Sequence, residues 1–102
     1  MLGSPAYMSP EQVTGDPLDY RTDIYSLGVT LYQMLTGKVP FEGETRAVLA
    51  QHVTQPPRAP SELNPDIPKA LDAAVLIMLS KGPADRFQDA DSVILALREA
   101  MP

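Results

Sequence analysis

The chain has no cysteine and no tryptophan, a single histidine and only three lysines in 102 residues. The missing cysteine excludes disulfides, thiolate nucleophiles and Cys-ligated zinc, and it accords with a reducing, cytoplasmic setting. With His52 as the one histidine, a metal site would have to be built almost wholly from carboxylates. Basic residues number 8 against 13 acidic ones, a formal charge of −5, so a broad basic face for nucleic acid is disfavoured. The longest uninterrupted apolar run, Ala73 to Leu79, falls far short of the roughly 20 residues a membrane span needs. The opening Met1-Leu2-Gly3-Ser4 has neither the basic start nor the apolar stretch of a signal peptide. What is plentiful is proline, eleven with six glycines, high for a helical protein but below the share typical of disordered chains. A chain this short makes one small domain around one core.

The apolar periodicity predicts an all-α fold: about four main helices, one short helical turn and a long N-terminal loop. Residues 1–20 are punctuated by Gly3, Pro5, Pro10, Gly15 and Pro17 and read as loop. A turn of helix is expected around Pro10–Val13, where Pro suits the first position and Glu11 favours the positive helix end. From Arg21 to Thr36, Ile24, Leu27, Leu31 and Leu35 make one stripe and Tyr25, Val29 and Tyr32 a second beside it. Only Ser26, Thr30 and Gln33 leave a polar strip, so this helix needs cover on several sides. Gly37 fits a left-handed cap and Pro40 blocks continuation. A second helix, Glu44 to Thr54, carries Val48, Leu49 and Val53 inward and reads as a surface helix, with His52 exposed or half-buried. The proline-rich stretch from Gln55 to Pro68 reads as an ordered connector. A third helix, Pro68 to Ser80, turns Leu71, Ala74, Val75, Met78 and Leu79 inward. A fourth, from about Asp89 to Ala100, has Asp89 as its N-cap and Ala90, Val93, Ile94 and Leu97 as its stripe.

Four short motifs then stand in order along the chain. Gly3-Ser4-Pro5-Ala6-Tyr7-Met8-Ser9-Pro10-Glu11 resembles the end of a protein kinase activation segment. Asp23-Ile24-Tyr25-Ser26-Leu27-Gly28 resembles the opening of the kinase's central helix, and Leu35-Thr36-Gly37-Lys38-Val39-Pro40-Phe41 the stretch that follows it. Lys81-Gly82-Pro83-Ala84-Asp85-Arg86-Phe87 resembles the K-x-P-x-x-R that precedes the last helix. Together they cover essentially the whole chain. It resembles the C-terminal lobe of the eukaryotic-like serine/threonine protein kinases of bacteria, from the end of the activation segment onward. The resemblance divides residues 1–102 into an activation-segment end with its following loop (1–20) and a helical subdomain (21–102).

The same resemblance implies roles. Glu11 and Arg86 would meet as a buried structural ion pair, a guanidinium fork on a carboxylate. Asp23 would organise the catalytic loop by accepting backbone N–H bonds. Gly3, Ser4 and Tyr7 would shape the pocket for protein substrate, Ser4 standing where the family usually carries Thr. Gly28 would let a neighbour approach the central helix closely. Phosphoryl transfer itself needs a Gly-rich loop, a strand lysine, a base Asp in H-R-D and the metal ligands of D-F-G and a catalytic-loop Asn. None of these motifs occurs in the sequence. The chain is therefore expected to hold no catalytic, cofactor or metal residues of its own. ATP and magnesium, donor and cofactor of the intact family, would be bound by a missing N-terminal part of the kinase domain. The alternative is a non-catalytic helical interaction module or a decayed kinase remnant.

Overall fold

A computed structural model describes residues 4–101 of the chain; Gly3, one of the expected substrate-pocket residues, lies outside them. Among the described residues, six α-helices follow one another: α1 (Pro10–Thr14), α2 (Tyr20–Thr36), α3 (Thr45–Thr54), α4 (Pro60–Leu63), α5 (Lys69–Met78) and α6 (Ala90–Ala100). Two 3-10 turns, Pro5–Tyr7 and Pro83–Asp85, precede α1 and α6, and there is no strand among the described residues. None of the described helices is long and apolar enough to cross a membrane.

α2 is the axis of the fold. Asp19 caps its start by accepting from the Arg21 N–H at 2.8 Å, and Gly37 ends it at φ 82°, its N–H donating to the Gln33 carbonyl. At φ 82° a side chain would be strained, which is the reason for glycine there. The helix's second stripe is its buried side: Tyr25, Val29 and Tyr32 cluster with Val75 and Leu79 of the α5 segment. Ile24 joins Met78 and Val93 in a second cluster, and Ile67, Leu71 and Ala100 form a third. α5 lies so close to α2 that a Cβ on Gly28 would fall 2.9 Å from the Met78 Cβ and 3.1 Å from Leu79 Cδ2. Only glycine permits that approach without displacement.

Several expectations need correction. Leu27, expected in the first stripe, is 50% exposed, because α5 and its neighbours cover the Tyr25 side of α2 instead. Ala90 and Ile94 are exposed as well, since α6 joins the fold through α5 and turns only a narrow side inward, with Val93 and Ala100 buried. Pro68 is the N-cap of α5 with extended backbone, not its first helical residue. The connector is not purely proline-stiffened loop: Pro60–Leu63 makes a fourth-position helix turn, α4, closed by the Glu62 carboxylate on the Ala59 N–H at 2.8 Å. Asp72 fixes α4 to α5 by accepting from the Ser61 N–H at 2.8 Å and from its hydroxyl. His52 is fully buried, because α3 packs onto α1 and the turn Pro5–Tyr7.

Candidate functional site

The opening segment is built by local rules and then pinned from a distance. Ser4 begins the 3-10 turn, its Oγ accepting from the Ala6 N–H at 3.3 Å while its carbonyl accepts from the Tyr7 N–H at 3.0 Å. Ser9 then caps α1 reciprocally: its Oγ accepts from the Gln12 N–H at 3.2 Å and its own N–H donates to Gln12 Oε1 at 2.8 Å. This is a capping box, legible as Ser-x-x-Gln ahead of a helix. It aims Glu11, one residue into α1, at the body of the fold.

There Glu11 meets Arg86, 75 residues later in the chain. Arg86 Nη1 donates to Glu11 Oε2 at 2.7 Å and Nη2 to Oε1 at 2.8 Å. The other three N–H groups are used too: Nη1 on the Arg21 carbonyl at 2.9 Å, Nη2 on the Lys81 carbonyl at 3.2 Å and Nε on the Ser80 carbonyl at 2.9 Å. All five guanidinium donors are thus satisfied, which is what a buried arginine requires. The guanidinium also sits 5.0 Å from the Tyr25 ring centroid, a cation–π contact. Glu11 accepts a further bond from Thr22 Oγ1 at 2.8 Å. Burial by itself would raise its carboxyl; the hydrogen bonds from Arg86, its own backbone and Thr22 outweigh that and hold it below the usual carboxylate range.

Tyr7 is tied to α2 twice. Its hydroxyl donates to the Gln33 side chain, and its carbonyl accepts from Ser26 Oγ at 2.9 Å. Ser4 stands exposed at the rim of an open cleft of about 270 Å³, lined by Pro5, Ala6, Val39, Phe41, Glu42 and Val48 among others. Asp23 is exposed in the first turn of α2. The structure therefore brings Glu11 and Arg86 together, sets Ser4 and Tyr7 beside them on the same opening segment, and leaves Asp23 facing solvent. Two further polar residues complete this region: the capping role of Ser9 is readable in the sequence as Ser-x-x-Gln, whereas Thr22 carries no signal apart from its place one turn from Asp19.

Among the described residues, no three His, Asp or Glu side chains converge on a metal position. Lys81, the most buried lysine, gives its Nζ to the Gln51 carbonyl at 3.1 Å and lies over the Phe41 ring at 4.7 Å.

Comparison with known proteins places the chain. The model of the protein kinase domain family matches residues 1–94, and the chain belongs to that family. Within it, the chain is similar to bacterial serine/threonine kinases. It is 45% identical over 95 residues to a probable serine/threonine-protein kinase of Clostridium acetobutylicum, covering 92% of this chain and 14% of that protein. It is 42% identical over 94 residues to the serine/threonine-protein kinase PksC of Streptomyces coelicolor, 91% of this chain and 17% of the relative. With the serine/threonine-protein kinase PknB of Mycolicibacterium smegmatis it shares 45% over 91 residues, 88% of this chain and 15% of the relative. The chain thus spans about one sixth or less of the length of these relatives. The family's chemistry uses ATP and magnesium, and its members act on protein.

Proposed function

We propose that this chain is the substrate-side helical portion of a serine/threonine protein kinase catalytic domain, and that by itself it transfers no phosphate. The observation that carries the reading is the five-donor seat of Arg86 around Glu11. Such a seat has a mechanical purpose: it fixes the start of α1, and through it the turn Pro5–Tyr7, against the helical body. A segment held that rigidly at one end, exposed at Ser4 and bordered by a cleft, suits recognition of an extended protein substrate.

In this reading Gly3, Ser4 and Tyr7 face the substrate, and Ser4 supplies a hydroxyl near the acceptor. Asp23, exposed at the positive end of α2, organises a catalytic loop contributed by sequence outside this chain. ATP and magnesium are bound there too, because phosphate transfer needs a Gly-rich loop, a strand lysine and the H-R-D and D-F-G motifs, none of which occurs in these 102 residues. The exposed side of α2, with Leu27 50% and Met34 77% exposed, supports docking of that remaining part of the domain. A cytoplasmic setting, with ATP at hand, completes the reading.

A chimera tests it. Residues 1–94 of this chain replace the matching stretch of the M. smegmatis PknB kinase domain, and radiolabelled phosphate transfer to a protein substrate is measured. The chimera is expected to be active and the 102-residue chain alone inactive. Transfer by the chain alone, abolished by Ser4→Ala, overturns the reading; so does a folded chimera with no activity.

A further inference from the structure

A second cleft, of about 210 Å³, adjoins the one at Ser4 and plays no part in the reading above. Tyr32 of α2 lines it, with Lys38, Val39 and Glu42 of the loop that follows and Arg58 and Leu63 of the next connector and α4. The two clefts share Val39 and Glu42. Tyr32 is 1% exposed and belongs to the main apolar cluster, against which Val39 and Leu63 pack. Among the described residues its hydroxyl has no hydrogen-bond partner, yet the fully enclosed side-chain atoms without one are Gln51 Oε1 and His52 Nε2. The hydroxyl is therefore the atom by which Tyr32 reaches the surface, and it does so at this cleft. Burial holds the phenol above its usual range, so it keeps its proton and offers it as a donor.

Two cations join that donor in a chain with only eight basic residues against thirteen acidic ones. Arg21 and Arg86 are held in ion pairs, Lys81 donates to the Gln51 carbonyl, and Lys69 Nζ reaches Ser61 Oγ at 3.4 Å. Lys38 and Arg58, by contrast, make no ion pair among the described residues, although Glu42 lines the same cleft. The Lys38 backbone is fixed by the Thr36 hydroxyl, which accepts from its N–H at 3.1 Å and donates to its carbonyl at 2.9 Å. The acids nearest Tyr32 on α4 and α5 are engaged elsewhere: Glu62 accepts from the Ala59 N–H and Asp72 from Ser61. A phenol from α2, an ammonium from the loop after it and a guanidinium from the connector before α4 thus line one opening with no acceptor of their own. Donors from three elements suit a phosphoryl group, with its three oxygens, better than a planar carboxylate with two.

We propose that this cleft binds the phosphoryl group of a phosphorylated peptide segment: the Tyr32 hydroxyl donates to one oxygen, Lys38 and Arg58 neutralise the charge, and Val39 and Leu63 take the carbon next to it. Glu42 at the shared wall works against the anion and limits its affinity. That the segment belongs to the protein substrate rests on the reading of the Ser4 cleft as substrate-facing, since the two clefts meet at Val39 and Glu42; the phosphoryl site itself does not rest on it. A substrate already phosphorylated near its acceptor would then be held in both clefts at once.

Amide spectra of the isotope-labelled 102-residue chain test this, titrated with a blocked tripeptide carrying a central phosphoserine, with its glutamate and unphosphorylated forms, and with inorganic phosphate. The phosphoserine peptide should move the Lys38, Val39 and Arg58 signals saturably and bind about tenfold tighter than the glutamate form, with no response to the unphosphorylated one. Lys38→Gln and Arg58→Gln, both at exposed positions, should each weaken it about tenfold. Tyr32→Phe keeps the ring in the core and removes only the hydroxyl; it should weaken binding about threefold or more. Glu42→Gln should tighten it about twofold or more. Shifts that do not saturate, equal binding of the glutamate form, or binding indifferent to both Tyr32→Phe and Arg58→Gln overturns the proposal. Saturation by inorganic phosphate with no response to the peptide marks a small-ion site and overturns it as well. The titration needs neither ATP nor transfer, so it can fail while the chimera phosphorylates protein, and the chimera can fail while the cleft binds.

Discussion

The two flanks of α2 are held in opposite ways. Near its start the neighbours are polar and buried: Glu11, Thr22 and Arg86, with His52 behind Tyr25. Along its middle and end the neighbours are apolar: Val75 and Leu79 press against Tyr25, Val29 and Tyr32, and Met78 against Ile24, with Gly28 giving way to Met78 and Leu79. Apolar packing supplies most of the favourable free energy and tolerates changes of shape within limits. A buried polar junction adds little net energy over a hydrophobic equivalent, but it accepts only one geometry. The polar flank is also the one attached to the opening segment.

The sharpest way to break this contrast is Arg86→Ala. It strands the Glu11 carboxylate and three backbone carbonyls, and urea unfolding should show a loss of about 3–5 kcal/mol. The double change Glu11→Met with Arg86→Met should recover much of that loss while leaving the opening segment less protected from exchange. Equal losses from the single and double changes would mean that the junction acts by packing.

Acid comes next. His52 has a folded pKa of about 4 against an ordinary 6.5, so between those values the unfolded chain binds the extra proton and the folded chain resists it. The sign is therefore a loss of stability as pH falls from about 6.5 to about 4, amounting to about 3 kcal/mol at its lower end. Glu11, held below the usual range, adds its own loss only further into acid. The His52→Gln variant should flatten the upper part of the curve in thermal melts across pH.

Gly28→Ala probes the apolar flank. Its Cβ would sit 2.9 Å from the Met78 Cβ, and the displacement should cost about 1–3 kcal/mol, with the Glu11–Arg86 geometry unchanged by exchange of the α1 amides. The smallest effect belongs to Met34→Gln: a residue 77% exposed should shift stability within about 0.5 kcal/mol. A larger loss would show that this side of α2 is covered in solution.

Much of the fold was readable in order along the chain. The spans of α2, α3, α5 and α6 agree with their periodicity to within one or two residues, and Gly37 and Asp89 cap as expected. α4 was hidden because four residues carry no period and the prolines around them suggest loop; its stability comes from Glu62 and from Asp72 eleven residues away. His52 was misplaced because α3 has only a weak apolar stripe, and what buries the ring is the opening turn and Tyr25, neither near it in sequence. Ile94 fits the α6 stripe in sequence but stands 50% exposed, since periodicity marks a face and not what lies opposite it. The family motifs pointed to Glu11 and Arg86 as partners; the Arg21, Ser80 and Lys81 carbonyls that complete the seat carry no side-chain signal at all.

Local physics is written in the order of the residues: where helices start, where they stop, which side is apolar, and the short motifs that mark the kinase family. Those features depend on neighbours a turn or so apart, so the sequence determined them unaided. Which of α2's stripes is covered, that a histidine lies at the heart of the polar flank, and that one guanidinium finds all five acceptors were settled only when distant segments packed. Burial and hydrogen-bond closure depend on groups up to 75 residues apart, and no local pattern encodes that distance.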